Sequence, residues 1–136
     1  MLSMLSKADS QKILQTLISV QETIEQLLSW NADIHSAEAY YSSDHGMQLL
    51  AANCTLITAI GEGINRINRV SPEFLKGAFP DVPWRDIIGM RNHIAHGYFE
   101  LDADLVYESI DLEFPELLNT ILKAIEIVNE LGEKEE

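Results

Sequence analysis

The chain has 136 residues and a mass of 15.3 kDa, enough for one domain and too little for a second independent core. With 46% hydrophobic and 23% charged residues, seven Gly and four Pro, the composition is that of a folded globular protein and excludes a low-complexity chain. The 22 acidic residues outnumber nine basic ones, and the net charge of −13 excludes the broad basic surface of a high-affinity duplex binder. Any nucleic-acid chemistry must therefore be local.

Cysteine usage and hydropathy indicate the compartment. The single cysteine, Cys54, cannot form an internal disulfide, and there is no cysteine cluster for a structural zinc site. The N-terminus lacks an apolar core of signal-peptide length, and no apolar run reaches the ~18 residues of a membrane span. We expect a soluble cytoplasmic protein with no membrane association, no cofactor and no metal.

Helical periodicity begins near the N-terminus. Apolar residues at three- and four-residue steps predict a first helix over 8–30, and Ser6 or Asp9 is a candidate N-cap. The following segment, 31–44, loses this period and reads as a connection, with a short helical turn possible at 37–41.

The second long helix has the cleanest apolar stripe of the sequence and ends near Val70. Its stripe consists of Met47, Leu50, Cys54, Ile57, Ile60, Ile64 and Ile67. Gly61 and Gly63 lie inside this helix, where each costs about 1 kcal/mol relative to Ala. We interpret them as points of close approach between helices rather than as breaks.

A short helix follows, with Ser71 as its N-cap and one or two turns through Phe74 and Leu75 before Gly77. No hairpin signal competes anywhere in the chain.

Two more helices complete the prediction. The third spans 84–96 and stops at Gly97, and the fourth begins at Asp102 or Asp104 and is kinked or divided by Pro115. The expected fold is all-α, an antiparallel four-helix-type bundle with an extra short helix. We expect residues 1–136 to form a single domain that ends in a flexible acidic tail at 132–136.

Charge is unevenly distributed along the chain. Residues 66–91 contain five basic and three acidic residues, a net charge of +2, whereas the remaining residues carry a net charge of −15. From position 99 onward there are 12 acids and two lysines, which on a helix usually means a solvated face, with partner binding as the alternative.

The densest polar cluster, Arg91-Asn92-His93-Ile94-Ala95-His96-Gly97-Tyr98, comes just before a predicted helix end. Arginine binds phosphate bidentately and histidine titrates near neutral pH, so together they suit metal-free cleavage of a phosphodiester. In that reaction a base removes the ribose 2′-hydroxyl proton, and a guanidinium stabilises the charge that develops at phosphorus. This chemistry predicts an RNA substrate.

Two alternatives remain open for the same residues. His and Arg are common at helix C-termini because they offset the negative end of the dipole, and a following Gly is ordinary capping. His93 and His96, three residues apart, can also bind a metal from one helical face, although only Glu62 offers itself as a third ligand. His35 and His45 are expected to be surface residues.

Residues 79–102, with the sequence FPDVPWRDIIGMRNHIAHGYFELD, resemble the signature of the HepT-like branch of the HEPN superfamily. Upstream, residues 60–63 (IGEG) are similar to the family's Ile-Gly-Glu-Ala. Downstream, residues 102–107 (DADLVY) and 114–117 (FPEL) resemble its last helices. The resemblance covers 45–125 best.

The resemblance implies an α-helical bundle that pairs as a symmetric homodimer, with the Arg-x-x-x-x-His-x-Tyr motif of each chain facing a shared cleft. Arg91 would then contact the scissile phosphate and His96 would be the acid/base. Asn92 and His93 would be supporting or RNA-binding residues, with a solvent-facing His93 as the alternative. Tyr98 would be the tyrosine to which a nucleotidyltransferase antitoxin of the MntA type transfers AMP.

Two functions follow as hypotheses. The first is a toxin that cleaves RNA as a metal-independent endoribonuclease through Arg91 and His96. The second is a non-catalytic dimer that binds a nucleotidyltransferase or a nucleotide, in which the same pair only grips phosphate. A symmetric dimer is expected in both cases and does not discriminate between them.

Overall fold

The computed structural model describes residues 5–94 and 101–134, and these are helical except for short connections. Helix α1 spans Lys7–Trp30, a 3₁₀ turn spans Ala37–Tyr41, and α2 spans Asp44–Val70. Short helices follow as α3 (Phe74–Ala78), α4 (Trp84–Ile88), α5 (Met90–Ile94) and α6 (Ala103–Glu108). A π-helical turn, Ser109–Glu113, then leads into α7 (Phe114–Lys134). The predicted all-α class is confirmed for the described residues.

Helix α1 begins where the sequence predicted. The Ser6 hydroxyl accepts a hydrogen bond from the Asp9 N–H at 3.0 Å, so Ser6 is the N-cap and Asp9 is not. The core face of α1 is formed by Ile13, Leu17, Val20, Ile24 and Leu27, all buried. Ile18, another apolar residue of this helix, is 39% exposed because it lies about 100° around the helix from Leu17, away from the core face.

Helices α1 and α2 pack as an antiparallel pair. Asn31 at the end of α1 bonds to Asn53 near the start of α2, whereas Val20 contacts the backbone at Gly63 further along α2. A Cβ at Gly63 would lie 2.5 Å from a methyl of Val20, so the missing side chain sets the distance between the helices. The expectation of close helix approach at Gly63 is thereby confirmed.

The stripe of α2 differs from its prediction at two positions. Met47 is 53% exposed and Cys54 is only partly buried, whereas Leu49 and Asn53 are buried. The stripe turns toward α1 and the 3₁₀ turn, whose residue Tyr40 is fully buried beside Asn53. Sequence periodicity missed this because a polar core residue carries no hydropathy signal.

Length and mean hydropathy would also allow α2 to be a membrane span. Its most apolar 18-residue window has a mean hydropathy of 1.2, and 39% of that window is buried inside the protein. The buried side of α2 packs against α1 and the short helices, which is the usual position of a core helix.

Three buried polar side chains lock the α1–α2 connection. The Tyr40 hydroxyl donates to Asn31 Oδ1 at 2.6 Å, and Asn53 Nδ2 donates to the same oxygen at 2.9 Å. Asn31 Nδ2 in turn donates to Asn53 Oδ1 at 2.8 Å and to the Leu27 carbonyl at 2.7 Å. Each of the three groups has its partner inside the network, so burial leaves none of them unpaired.

The predicted cap of the short helix is wrong. Helix α3 begins at Phe74 with Glu73 as its N-cap residue, and the Ser71 carbonyl accepts from the Phe74 N–H at 3.3 Å instead. The extended backbone of Ser71 closes α2, so this residue serves the preceding helix. Phe74 and Leu75 are buried, as the pattern indicated.

The last helical region is divided by the π-helical turn, which ends two residues before Pro115. Asp102 is the N-cap of α6, because its Oδ1 accepts from the Leu105 N–H at 3.0 Å. Proline has no N–H for the carbonyl four residues earlier, and the chain widens into the π-helical turn, where the Phe114 N–H bonds to Ser109. Helix α7 then packs along α1 and extends to Lys134, into the segment expected to be an acidic tail.

Replacing Tyr40 with Phe should lower the free energy of unfolding by about 1–3 kcal/mol, because Asn31 and Asn53 lose a buried partner. Burial raises the pKa of Tyr40 to about 12 from 10.0, against an opposing hydrogen bond from Asn53. The folded state therefore holds the Tyr40 hydroxyl proton more tightly than the unfolded state does. The contribution of this proton to the free energy of unfolding is fully present below pH 10 and is lost as pH rises toward 12.

Urea denaturation at several pH values checks this. Between pH 10 and 12 the free energy of unfolding of the wild type should fall more steeply than that of Tyr40→Phe, by about 1.4 kcal/mol per pH unit. The exposed Tyr41→Phe variant is the control and should follow the wild type. Parallel curves for the wild type and Tyr40→Phe would contradict the assignment.

Candidate active site

The described part of the segment that carries the predicted motif packs against α2 as two short helices. The sequence predicted a single helix over 84–96, but the structure divides it at Gly89 into α4 and α5. The Gly89 N–H closes α4 on the Arg85 carbonyl at 3.0 Å, and the Asn92 N–H starts the next turn on the Gly89 carbonyl at 3.0 Å. Gly89 favours this break because glycine is a poor helix former. The predicted stop, Gly97, lies outside the described residues.

Trp84 fixes the start of α4. Its indole Nε1–H donates to the Phe79 carbonyl at 3.1 Å, and the two rings meet edge to face with centroids 6.5 Å apart. Trp84 and Ile87 are buried against the core, whereas Arg85 and Asp86 are exposed.

A glycine in α2 lets the end of α4 come close. A Cβ at Gly61 would lie 3.0 Å from the Ile88 carbonyl oxygen and 3.3 Å from the Ile88 Cα. Both atoms belong to the backbone and cannot rotate away, so a larger residue would push the elbow between α4 and α5 off α2. The expected close approach at Gly61 is confirmed, with α4 as the partner.

The motif residues that the structure describes project from α5. Arg91, Asn92 and His93 are all exposed, whereas Ile94 is fully buried and fixes the helix to the core. Successive residues on a helix point about 100° apart, so His93 does not share a face with Arg91. The structure presents Arg91 to solvent on a rigidly seated helix.

The rest of the motif lies outside the described residues: His96, Tyr98 and the other positions of 95–100. The described residues on either side of 95–100 are joined by a backbone hydrogen bond of 2.6 Å, in which the Asp102 N–H donates to the Ile94 carbonyl. A cap residue of α6 is thereby joined to the end of α5, beside the helix that carries Arg91.

The part of the chain that the structure describes contains no cluster of potential metal ligands. Across 5–94 and 101–134 no three His, Cys, Asp or Glu side chains come together closely enough to bind an ion. Glu62, the candidate third ligand, is exposed on α2, and His35 and His45 are exposed as expected.

Two polar residues beside this site were not predicted. Asn65 and Asn68 follow Gly61 by four and seven residues, on the face of α2 where α4 crosses. Their spacing is the feature of the sequence that could have indicated them, because Asn65 and Asn68 continue the helical face on which Gly61 lies. It was overlooked because Asn also fits an ordinary solvent-exposed position.

Comparison with known proteins identifies the family to which this sequence is similar. The model of the family described as Ribonuclease HepT-like matches residues 20–124. A protein of Methanocaldococcus jannaschii named "Putative RNase MJ0125" is 24% identical over 118 residues, which is 87% of this chain and 92% of that protein. A second protein of this organism, "Putative RNase MJ1380", is 28% identical over 82% of this chain and 92% of its own length.

A shorter match is with the "Probable ribonuclease HepT" of Thermococcus cleftensis, which is 31% identical over 58 residues, 43% of this chain and 49% of that protein. No solved structure matches the chain.

Replacing Gly61 with Val should lower the free energy of unfolding by about 1–3 kcal/mol, because the new side chain meets the Ile88 backbone. Gly77→Ala is the matched control: nothing lies within 4 Å of a Cβ there, and alanine in α3 should raise stability by about 0.5–1 kcal/mol. Urea denaturation measures both. A Gly61→Val protein as stable as the wild type would show that α4 does not depend on this contact.

Proposed function

The chain belongs to the HepT-like ribonuclease family, and from this premise we propose that it is the toxin of a toxin–antitoxin pair, a metal-independent endoribonuclease. The observation that carries the proposal is the position of Arg91, exposed on α5, which packs on α2 through the buried Ile94, in a segment of net charge +2 within an acidic protein. An anionic substrate is attracted to such a segment and repelled by the rest of the surface.

In the proposed reaction, Arg91 binds the scissile phosphate and stabilises the negative charge that grows on its oxygens. His96 removes the proton of the ribose 2′-hydroxyl, whose oxygen attacks phosphorus, and the bond to the 5′-oxygen breaks. The protonated imidazole, or its counterpart in a second subunit, returns a proton to the leaving 5′-oxygen. The products are a 2′,3′-cyclic phosphate and a 5′-hydroxyl end. Asn92 would contact the same phosphate, and His93 the RNA beyond it.

The proposed assembly is a symmetric homodimer of antiparallel four-helix bundles. A two-fold axis brings the same patch of each chain together, so two copies of Arg91 and His96 would share one cleft. The protein would work in the cytoplasm, where a free thiol such as Cys54 stays reduced.

The proposed partner is an MntA-like nucleotidyltransferase that transfers AMP to Tyr98. An AMP group adds a phosphate close in sequence to Arg91, where it would occupy the guanidinium and repel the RNA backbone. The acidic surface outside 66–91 offers a complement to a basic partner.

Replacing Arg91 or His96 with Ala should abolish RNA cleavage, with loss of at least about a hundred-fold in rate, because each removes a group that acts on the reacting phosphate. Purified proteins are incubated with total tRNA and mRNA in EDTA, and the product ends are tested for 2′,3′-cyclic phosphate. Chelation should leave the rate unchanged.

His45→Ala is the matched control, an exposed histidine in the first turn of α2 that should cleave as the wild type does. Circular dichroism and dimer mass should be the same in all variants. Cleavage by Arg91→Ala or His96→Ala would refute the catalytic assignment, and loss of cleavage in EDTA would refute the metal-free reaction. Absence of cleavage by an unmodified wild-type dimer would favour the binding module instead.

Incubation with the nucleotidyltransferase and ATP should add the mass of one or more AMP groups to the protein and suppress its RNase activity. The Tyr98→Phe protein should gain no mass, because it lacks the acceptor hydroxyl. Intact-mass spectrometry decides this. Tyr41 is an exposed tyrosine at the end of the 3₁₀ turn, and Tyr41→Phe is the control that should still be modified. Modification of Tyr98→Phe would refute the site.

A further inference from the structure

A groove of about 600 Å³ lies between the C-terminal half of α2 and the connection from α3 to α4. Its polar lining consists of two amides and two cations: Asn65, Asn68, Lys76 and Arg85. The ten described residues that line it include no carboxylate, although the protein as a whole carries 22 acids. This volume falls within the range of about 300–1,000 Å³ typical of small-ligand sites, enough for a nucleotide-sized group.

The groove lies close in sequence to the helix that carries Arg91. Ile88, whose backbone contacts Gly61, lines the groove, and Arg91 follows Ile88 by three residues, on the next helix, α5. Beyond Gly61 the same face of α2 presents Asn65 and Asn68, so this wall of the groove follows α2 toward its C-terminus.

The opposite wall is rigid and apolar. It is formed by Pro72, Pro80, Val82 and Pro83, with the edge of Trp84 behind them. Each proline ring fixes its own φ, and Trp84 is bound to the Phe79 carbonyl, so little conformational entropy remains to be lost when a ligand binds. Flat apolar surfaces of this kind suit a base, whereas the amides and cations suit sugar and phosphate.

The charges of this region favour a polyanion. Arg69 is exposed one turn beyond Asn65 and borders the same face of α2. The facing acids are few: Glu73 forms an ion pair with Lys76 at 3.2 Å, and with both side chains about 60% exposed this pair is weak enough to exchange for a phosphate. Asp81 and Asp86 are exposed near the wall and do not line the groove.

We propose that this groove is the RNA-binding subsite next to the scissile phosphate: it holds single-stranded RNA, with Arg85 and Lys76 on phosphates and Asn65 and Asn68 on sugar or base edges. The proposal rests on the proposed function in placing the scissile phosphate at Arg91. Single-stranded RNA is the occupant because the lining offers two cations and no carboxylate in an otherwise acidic protein, which suits a phosphate backbone, and because the apolar wall accommodates bases.

The test compares two charge reversals that change the net charge of the protein by the same amount. Arg85→Glu alters the groove, and Lys123→Glu, on the exposed side of α7, is the matched control. Both are made in the full chain on the His96→Ala background, which leaves RNA uncut, and fluorescence anisotropy measures the Kd for a labelled single-stranded RNA across a range of salt concentrations.

Arg85→Glu should weaken RNA binding at least about ten-fold relative to Lys123→Glu, because a charged hydrogen bond to phosphate is lost. Its plot of log K against log salt should lose about 0.7 in slope, the value for one phosphate contact of a single strand. Lys76→Ala should reduce the slope similarly. Asn65→Ala should weaken binding with the slope unchanged, because an amide releases no counterion.

If Arg85→Glu and Lys123→Glu weaken RNA binding equally, the proposal is refuted, because only the long-range effect of net charge has been measured. No RNA binding by the His96→Ala protein would overturn it as well. A defect of Arg85→Glu confined to binding of the nucleotidyltransferase would assign the surface to that protein and overturn the RNA proposal. Circular dichroism confirms that each variant is folded.

The two proposals fail separately. If the wild type cuts no RNA but Arg85→Glu binds RNA more weakly than Lys123→Glu, RNA binding in the groove is supported and the nuclease assignment is refuted. If the wild type cuts RNA and the two charge reversals, made in the wild type, give the same KM, the nuclease assignment is supported and RNA binding in the groove is refuted.

Discussion

The contact between the Ile88 backbone and Gly61 fixes the seat of α4 on α2, next to the helix that carries Arg91. The elbow between α4 and α5 rests on α2 at a distance that favours a glycine, since a Cβ would lie 3.0 Å from a carbonyl oxygen that belongs to the backbone. Arg91 follows this contact by three residues, and the groove is lined by residues of α2 that lie beyond it. A site built on packed helices keeps its geometry better than one carried by loops.

The core of the α1–α2 pair has a second means of fixing its geometry. Gly63 sets the distance between these helices, while the hydrogen bonds among Asn31, Tyr40 and Asn53 set their register at the other end. Apolar packing alone allows neighbouring registers of similar energy, whereas a buried network leaves polar groups unpaired in every register but one. We infer that the network makes α2 a defined platform for α4 and α5.

Charge distribution connects the fold with the proposed function. An acidic protein that acts on RNA needs a local basic surface to attract the phosphate backbone. Here five of the nine basic residues fall within 66–91. The fold concentrates that zone further, because α2 and the connection from α3 to α4 bring Lys76 and Arg85 to one groove beside the helix of Arg91. The surrounding negative charge then disfavours other orientations of the substrate.

The sequence by itself determined the helical class, the bounds of α1 and the end of α2, and it narrowed the cap of α6 to Asp102 or Asp104, because apolar periodicity and capping chemistry depend on neighbours along the chain. Its motif also pointed to Arg91, His96 and the HepT-like family. Only the tertiary structure decided that 84–96 breaks at Gly89, that Asn53 is buried while Met47 is exposed, and that Asn65 and Arg85 line one groove. Those outcomes depend on which surfaces meet across the fold, and no spacing along the chain records that.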